Sequence, residues 1–252
     1  MIRSRGFPLD FPPVRRTIRI EIVSDESRVH MAWYYGSDTG TGSGTPCGAS
    51  YYIGRKGAGT DAPGADLDWT LPSGSTLPAA SYWNLIGPSG HSNPTQWGKD
   101  QANAYTDAWN SYASSGTYVP SGDALFTLFG SIDNPGYTDP TDNAAMVDGY
   151  IEQIYSNFGS YKTYGLYGNP SEFASLGSGW GSLVPLVIWV AYYGRGFSCP
   201  AVQGQFCDEL AASYGGYAPM IWQYNGSPDY NVTPYNGFES GMWHPTSPPG
   251  IC

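Results

Sequence analysis

Apolar residues along the chain fall into two rhythms. The first is a series of short runs dense in β-branched, leucine and aromatic residues. They are TIRIEIV (17–23), ASYYIGR (49–55), AASYWNLIG (79–87), ALFTLFGSI (124–132), TYGLYG (163–168), VPLVIWVAYY (184–193), APMIWQY (218–224) and the short DYNVTPY (229–235). Several are apolar at consecutive positions, as strands buried on both faces are. The second rhythm is helical. In 95–112, Trp97, Gln101, Ala104, Tyr105, Ala108, Trp109 and Tyr112 fall on one face. In 143–158, Met146, Val147, Tyr150, Ile151, Ile154, Tyr155 and Phe158 recur at i, i+3 and i+4. DESRVHMAWYY (25–35) and VQGQFCDELAASYG (202–215) read as further helices, and the Gly/Thr/Ser-rich 36–46 as a loop.

Strands that alternate with helices imply parallel pairing through right-handed crossovers. Eight such units in about 230 residues fit a single (β/α)8 TIM-like barrel with a short or irregular eighth strand. The barrel is expected over 17–252, behind a basic Pro/Arg-rich leader at 1–16. A doubly wound open sheet has the same periodicity, and the pattern does not choose between the two. No apolar run is long enough to span a membrane.

Composition narrows the setting. Of 252 residues 40% are apolar and only 13% charged, and the lysines are Lys56, Lys99 and Lys162 alone. Residues 20–252 carry 20 acidic and 6 basic side chains, so the body repels phosphate backbones and no nucleic-acid partner is expected. The head is the opposite, with Arg3, Arg5, Arg15, Arg16 and Arg19 against Asp10, and it lacks the apolar stretch of a signal peptide. The cysteines are Cys47, Cys199, Cys207 and Cys252, without a C-x-x-C pair, so a zinc site is not expected. Cys199 and Cys207 flank a short loop and suit a bridge, which leaves Cys47 with Cys252, although three connectivities stay open. Asn225-Gly226-Ser227 and Asn231-Val232-Thr233 are glycosylation sequons. An extracellular, oxidising setting accounts for all of this.

In a barrel, reactive side chains sit where strands end at their C-terminal side. Those ends read Asp25 and Glu26, Arg55, Asn84, Ser131 and Asp133, Tyr167 and Asn169, Tyr192 and Tyr193, Gln223 and Tyr224, then Asp229 and Asn231. Acids and amides bind hydroxyls, and aromatic faces cover sugar rings, so a saccharide is the ligand class these residues suit. Any one of the acids equally suits a turn or a helix cap. Other chemistries fit less well. His30, His91 and His244 are scattered, and no G-x-S-x-G or H-E-x-x-H stretch is present, so no metal or other cofactor is expected. GRKGAG (54–59) is neither a phosphate-binding nor a dinucleotide motif and reads as a flexible loop.

The order TYGLYGNPSEF, LVIWVAYYG, MIWQYNG and PDYNV resembles the second half of the glycoside hydrolase family 25 muramidases, the Chalaropsis-type lysozymes. NPTQWGKDQANAYTDAW is similar to their helix after strand three. MAW, YYIGR and the same helix are also similar to the glycoside-hydrolase-like domains of secreted actinobacterial proteins. The resemblance covers roughly 17–235. It implies hydrolysis of β-linked amino-sugar glycans by acids at the ends of strands one, four and eight. Asp25 matches the first, with Asp10 the other candidate, and Asp229 matches the last. On strand four the family carries Asp-x-Glu. Here Asp133 matches either the Asp, with Pro135 in place of the Glu, or the Glu, with Ser131 two residues before it. One carboxylate is missing either way.

The resulting expectation is a secreted, monomeric glycoside hydrolase acting on a polysaccharide or cell-wall glycan. Asp133 would be its acid, with Asp25 or Asp229 as the second carboxylate. Asn84, Tyr167, Asn169, Tyr193, Trp222, Gln223 and Tyr224 would hold the sugar. Two alternatives stand beside it: a non-catalytic glycan-binding module of the same fold, and a surface protein that makes contact through its basic arm.

Overall fold

The computed structural model describes residues 34–39, 51–60, 79–114, 127–159, 163–181, 184, 186–193, 200–201, 205–206, 213–226 and 229–233. By internal contacts the chain divides between His30 and Met31, and every described residue belongs to the second unit, Met31–Cys252. In chain order the elements are β1 (Tyr34–Thr39), β2 (Tyr51–Ala58), β3 (Ala79–Asn84), α1 (Pro94–Ser114), β4 (Thr127–Ser131), α2 (Pro140–Phe158), β5 (Thr163–Gly168), α3 (Pro170–Ser175), β6 (Leu186–Ala191), β7 (Pro200–Ala201), β8 (Gln205–Phe206), β9 (Pro219–Gly226) and β10 (Asp229–Thr233).

Eight of these strands close into a barrel in the order β1-β10-β9-β6-β5-β4-β3-β2, and β7 and β8 form a separate antiparallel pair. Closure through the β1–β10 and β1–β2 ladders rules out the open sheet. The barrel pairs are parallel except at β10, which runs antiparallel to both β9 and β1. The reason is local. Only residues 227 and 228 separate β9 from β10, far too few for a crossover, so the two strands make a hairpin. β10 is also irregular, with a register shift between Tyr230 and Asn231.

The alternation of side chains along the strands splits the interior into two cores. Ile53, Ala80, Phe129, Tyr167, Val187, Trp189, Ala191 and Ile221 fill the lumen. Trp83, Leu85, Leu128, Ile132, Leu166, Ile188, Val190 and Trp222 face the other way, onto Ala102, Tyr105 and Ala108 of α1 and Met146, Val147, Tyr150, Ile151 and Ile154 of α2. The two helices thus bury most of the faces that their periodicity marks, but Tyr155, expected on the buried face of α2, is 40% exposed. α2 starts at Pro140 behind the N-cap Asp139, whose carboxylate accepts from the Thr141 amide at 2.8 Å. These hydrogen bonds hold the Asp139 carboxyl below its usual range.

Three expectations are corrected. β1 is Tyr34–Thr39, so 34–35 are not helical and 36–39 are not loop, while 17–23 and 25–33 lie outside the described residues. In 202–215, Gln205–Phe206 is a strand, and Tyr214 bridges Tyr217 across a tight turn, so the helix expected there is absent among the described residues. Residues 54–58 of GRKGAG belong to β2. The glycine there has a packing reason. A Cβ on Gly57, at φ +157°, would stand 2.3 Å from the Trp83 ring, whose Nε1 donates to the Gly59 carbonyl at 2.9 Å. All four cysteines lie outside the described residues. No helix among the described residues is long and apolar enough to cross a membrane.

Candidate active site

β4 carries the central acid. Phe129 faces the lumen, so Ser131 and then Asp133 follow on the same side. Ser131 is fully buried and Asp133 is exposed just past the strand end. The Ser131 hydroxyl donates to Asp133 Oδ1, and Asn134 Nδ2 donates to the same oxygen at 3.0 Å. Both bonds fall on one oxygen and use its two lone pairs. Oδ2 is left for a ligand. Among the described residues no group of three or more His, Cys, Asp and Glu could hold a metal ion.

The turn after Asp133 is tied to the loop after β3. Gly87 N donates to the Pro135 carbonyl at 3.0 Å and Ser89 N to the Gly136 carbonyl at 2.9 Å. Gly136 sits at φ +97°, where a side chain would be strained. Beneath the β3 loop, Gln101 of α1 is fully buried among apolar neighbours and grips one residue. Its Oε1 accepts from Ile86 N at 2.7 Å and its Nε2 donates to Ile86 O at 3.0 Å. Trp97 Nε1 donates to the same carbonyl at 2.9 Å.

On the strands that follow β4 around the barrel, β5, β6 and β9, a second polar group forms. Tyr167 and Tyr193 both donate to Gln223 Oε1, at 2.5 and 2.6 Å, and their hydroxyl oxygens are 3.2 Å apart. Below it, Trp189 Nε1 donates to Asn231 Oδ1 at 2.7 Å, and the Tyr167 ring tilts onto Trp189 at 4.2 Å. Tyr167 is buried, whereas Tyr193 is half exposed at the rim. A fixed amide, two phenols and one exposed ring suit a ligand with several hydroxyls and an apolar face.

The residues expected from the sequence divide accordingly. Asp133, Tyr167 and Tyr193 lie at the C-terminal ends of β4, β5 and β6, Asn84 ends β3, and Gln223, within β9, pairs with Ala191 at the end of β6. Asn169 is occupied otherwise, because its Oδ1 caps α3 by accepting from Ser171 N at 2.9 Å and Glu172 N at 3.1 Å. Trp222 is a correction. It is fully buried on the helix-facing side and donates to the Tyr192 carbonyl at 3.0 Å, so it cannot face a sugar in the lumen. Asp229 and Tyr224 stand on β10 and β9 at the level of the backbone. Asp25 and Asp10 lie outside the described residues.

One residue went unnoticed. Asp38 lies on β1, opposite the lumen residue Ile53 of β2 in the ladder. The register that pairs Ser37 with Tyr230 also brings Asp38 to the end of β10 where Asp229 stands.

Glu172 adds a second carboxylate near β4. It completes a capping box at the start of α3, where its Oε2 accepts from Asn169 N at 2.6 Å. Burial, and to a lesser degree the charge of Asp133, push the Glu172 carboxyl above its usual range. A carboxyl that binds its proton more tightly in the folded state favours folding at low pH. That contribution is complete below the ordinary glutamate value and is lost as pH rises through the raised one. Glu172→Gln keeps the capping box, since glutamine serves at that position, and removes the buried charge. It is therefore expected to melt no lower than the wild type at pH 7, with any gain vanishing near pH 4. Glu172→Ala loses the box and should melt below both. Thermal unfolding between pH 4 and 8 measures this, and a Gln variant clearly less stable at pH 7 would contradict it.

No protein-family model matches the chain, and no curated protein sequence does. Solved structures do. The chain is similar to the spore cortex lytic enzyme SleM of Clostridium perfringens at 18% identity and a TM-score of 0.55, over 83% of this chain and 69% of that one. It is similar to a muramidase from Trichobolus zukalii at 14% identity and a TM-score of 0.53, over 81% and 94%. It is also similar to a family GH25 lysozyme from Aspergillus fumigatus at 15% identity and a TM-score of 0.51, over 82% and 95%. At such identities the likeness is one of architecture, and it bears out what the strand-end motifs implied: this chain has the barrel fold of the glycoside hydrolase family 25 muramidases.

Proposed function

We propose that the protein is a secreted glycoside hydrolase that cleaves a β-linked, peptidoglycan-like glycan with Asp133 as its central carboxylate. The observation that carries this is Asp133 itself: an exposed acid on the lumen side of β4, oriented by Ser131 and Asn134, at the end of the barrel where Tyr193 and Gln223 offer a sugar-binding surface. The neighbours of similar fold are by name a lytic enzyme, a muramidase and a lysozyme, which supports the reading. With Ser131 the last residue of β4 and Pro135 tied to the loop after β3, the alignment adopted is the one in which Asp133 takes the place of the family's Glu and Ser131 that of its Asp. The second carboxylate would then come from Asp38 or Asp229, on the adjoining strands β1 and β10. Two acids flanking the bond are what glycoside hydrolysis ordinarily needs. The low charge and acidic body fit a monomer working outside the cell on a cell-wall glycan, with no nucleic-acid partner.

The alternative, a glycan-binding module without turnover, is favoured by one observation: the partner acid on β4 is Ser131, which serves to hold Asp133. Reducing-end release from soluble glycan strands of bacterial peptidoglycan separates the two. The hydrolase releases reducing ends and loses this with Asp133→Asn or Asp38→Asn. A binding module retains the glycan and releases none.

A further inference from the structure

The acid at the rim is held by more than its own strand. Five bonds link the inner face of α1 to the turn that carries Asp133. Gln101 makes two to Ile86, and Trp97 makes one. Gly87 and Ser89, the residues that follow, make two more to Pro135 and Gly136. The last pair extends the β3–β4 ladder beyond the strand ends, since Leu85 N already donates to Ser131 O at 2.8 Å. Tyr137 reaches back to the Leu85 carbonyl at 3.4 Å. The approach of the two loops has no slack. A Cβ on Gly87 would stand 2.2 Å from the Gly136 carbonyl carbon and 2.3 Å from Tyr137 N.

Helix packing alone does not require this arrangement. A buried position of α1 facing Met146 would be filled more cheaply by leucine or methionine than by an amide, because a buried amide must find partners for all its polar atoms. Gln101 donates one N–H to Met146 Sδ at 3.6 Å and spends its other amide N–H and its oxygen on the backbone of one loop residue. The effect is to fix the height of Ile86, hence of Gly87 and Ser89, and through them of Pro135 and Gly136. Asp133 is two residues from the nearer of these. An exposed carboxylate on a turn would otherwise wander by more than the half ångström that productive chemistry tolerates.

We propose that Gln101, acting through Ile86 and the Gly87–Ser89 strap, is the positioning residue for Asp133. The inference rests on the reading of Asp133 as the catalytic carboxylate. Loosening the strap leaves the sugar-binding side, Tyr167, Tyr193 and Gln223, where it is. The loss therefore falls on kcat and spares KM.

The test uses the full-length protein and soluble glycan strands from bacterial peptidoglycan, with wild type, Asp133→Asn, Gly87→Ala and Gln101→Leu assayed together. Near-unchanged circular dichroism and assay temperatures well below each variant's Tm exclude unfolding. If Gly87→Ala does not fold, Gln101→Leu, close to isosteric, carries the test. The expected result is a kcat lowered ~10²-fold by either strap variant, as for a misplacement of about 1 Å, with KM within about threefold of the wild type. Wild-type kcat in a folded Gln101→Leu, with Asp133→Asn inactive, overturns the positioning role while the hydrolase reading survives. A loss that appears in KM with kcat kept overturns it too. No turnover by the wild type, or full turnover by Asp133→Asn, overturns the hydrolase reading and the strap's role with it.

Discussion

Asp133→Asn is expected to lower reducing-end release by ~10³-fold or more while the affinity for the glycan stays within about threefold, in line with the 10²–10⁴-fold that a positioned acid or base contributes. Asparagine is nearly isosteric with aspartate. Its Oδ1 can still accept from the Ser131 hydroxyl, so the turn and its strap keep their places. What is lost is the negative charge and the ability to exchange a proton. The magnitude separates this from a structural effect, because a displaced but chemically competent acid should cost only ~10²-fold. Asp133→Glu is a useful companion. It moves the carboxylate outward by one methylene, to the length that the muramidase pattern carries at this position. A Glu variant more active than the wild type would mean that the substrate sits as that pattern implies. One inactive despite a sound fold would mean that it sits closer. Kinetics on soluble peptidoglycan strands, with binding measured separately by co-sedimentation with the insoluble polymer, give both numbers. Unchanged turnover in Asp133→Asn would remove this residue from the chemistry altogether.

Much of this arrangement could be read from the chain, for reasons that differ between elements. β5 was found to the residue because TYGLYG carries Tyr164, Leu166 and Tyr167 with no charge among them and is bounded by Tyr161-Lys162 and Asn169-Pro170. α2 was found because its buried face repeats without interruption from Met146 to Ile154. β1 was missed because half of it, Gly36-Ser37-Asp38-Thr39, has the composition of a turn. It is a strand only because β2 and β10 pair with it on either side. The hairpin between β9 and β10 was legible in the shortness of the link, which leaves no room for a helix, but the alternation of the earlier units suggested an eighth crossover. Trp222 and Gln223 show a subtler limit. A strand apolar on both faces does not say which neighbour points inward, and only the two tyrosine hydroxyls on Gln223 settle it. Gln101 had a signal that went unused, since an amide on the apolar face of a helix needs partners. Those partners lay on a loop whose place could not be read from the chain.

Gly98→Ala in α1 and Gly149→Ala in α2 are expected to be the most destabilising small substitutions in the barrel, by about 2–4 kcal/mol each, with backbone overpacking outweighing helix propensity. Propensity points the other way, because alanine is favoured over glycine inside a helix by roughly 1 kcal/mol. Space decides the sign. A Cβ on Gly98 would lie 1.9 Å from the Met146 carbonyl oxygen and 2.7 Å from Tyr150 N, and one on Gly149 would lie 2.2 Å from the Thr95 carbonyl oxygen. These obstacles are backbone atoms of the opposite helix, which no change of rotamer can move aside. The helices must separate by about an ångström, which opens the layer that holds Tyr105, Met146 and Tyr150 and forfeits contacts in a closely packed interior. For a chain of this length the Tm should fall by about 5–15 °C. Asn110→Ala, on the exposed side of α1, is the control and should leave the Tm unchanged or slightly raised. The same displacement has a consequence at the rim. Trp97 and Gln101 flank Gly98, so an α1 pushed off α2 carries their grip on Ile86 with it. A folded Gly98→Ala protein, assayed below its Tm, should therefore lose turnover in the manner of Gln101→Leu, in kcat and not in KM. If it lost only stability, the packing of the two helices and the placement of Asp133 would be independent.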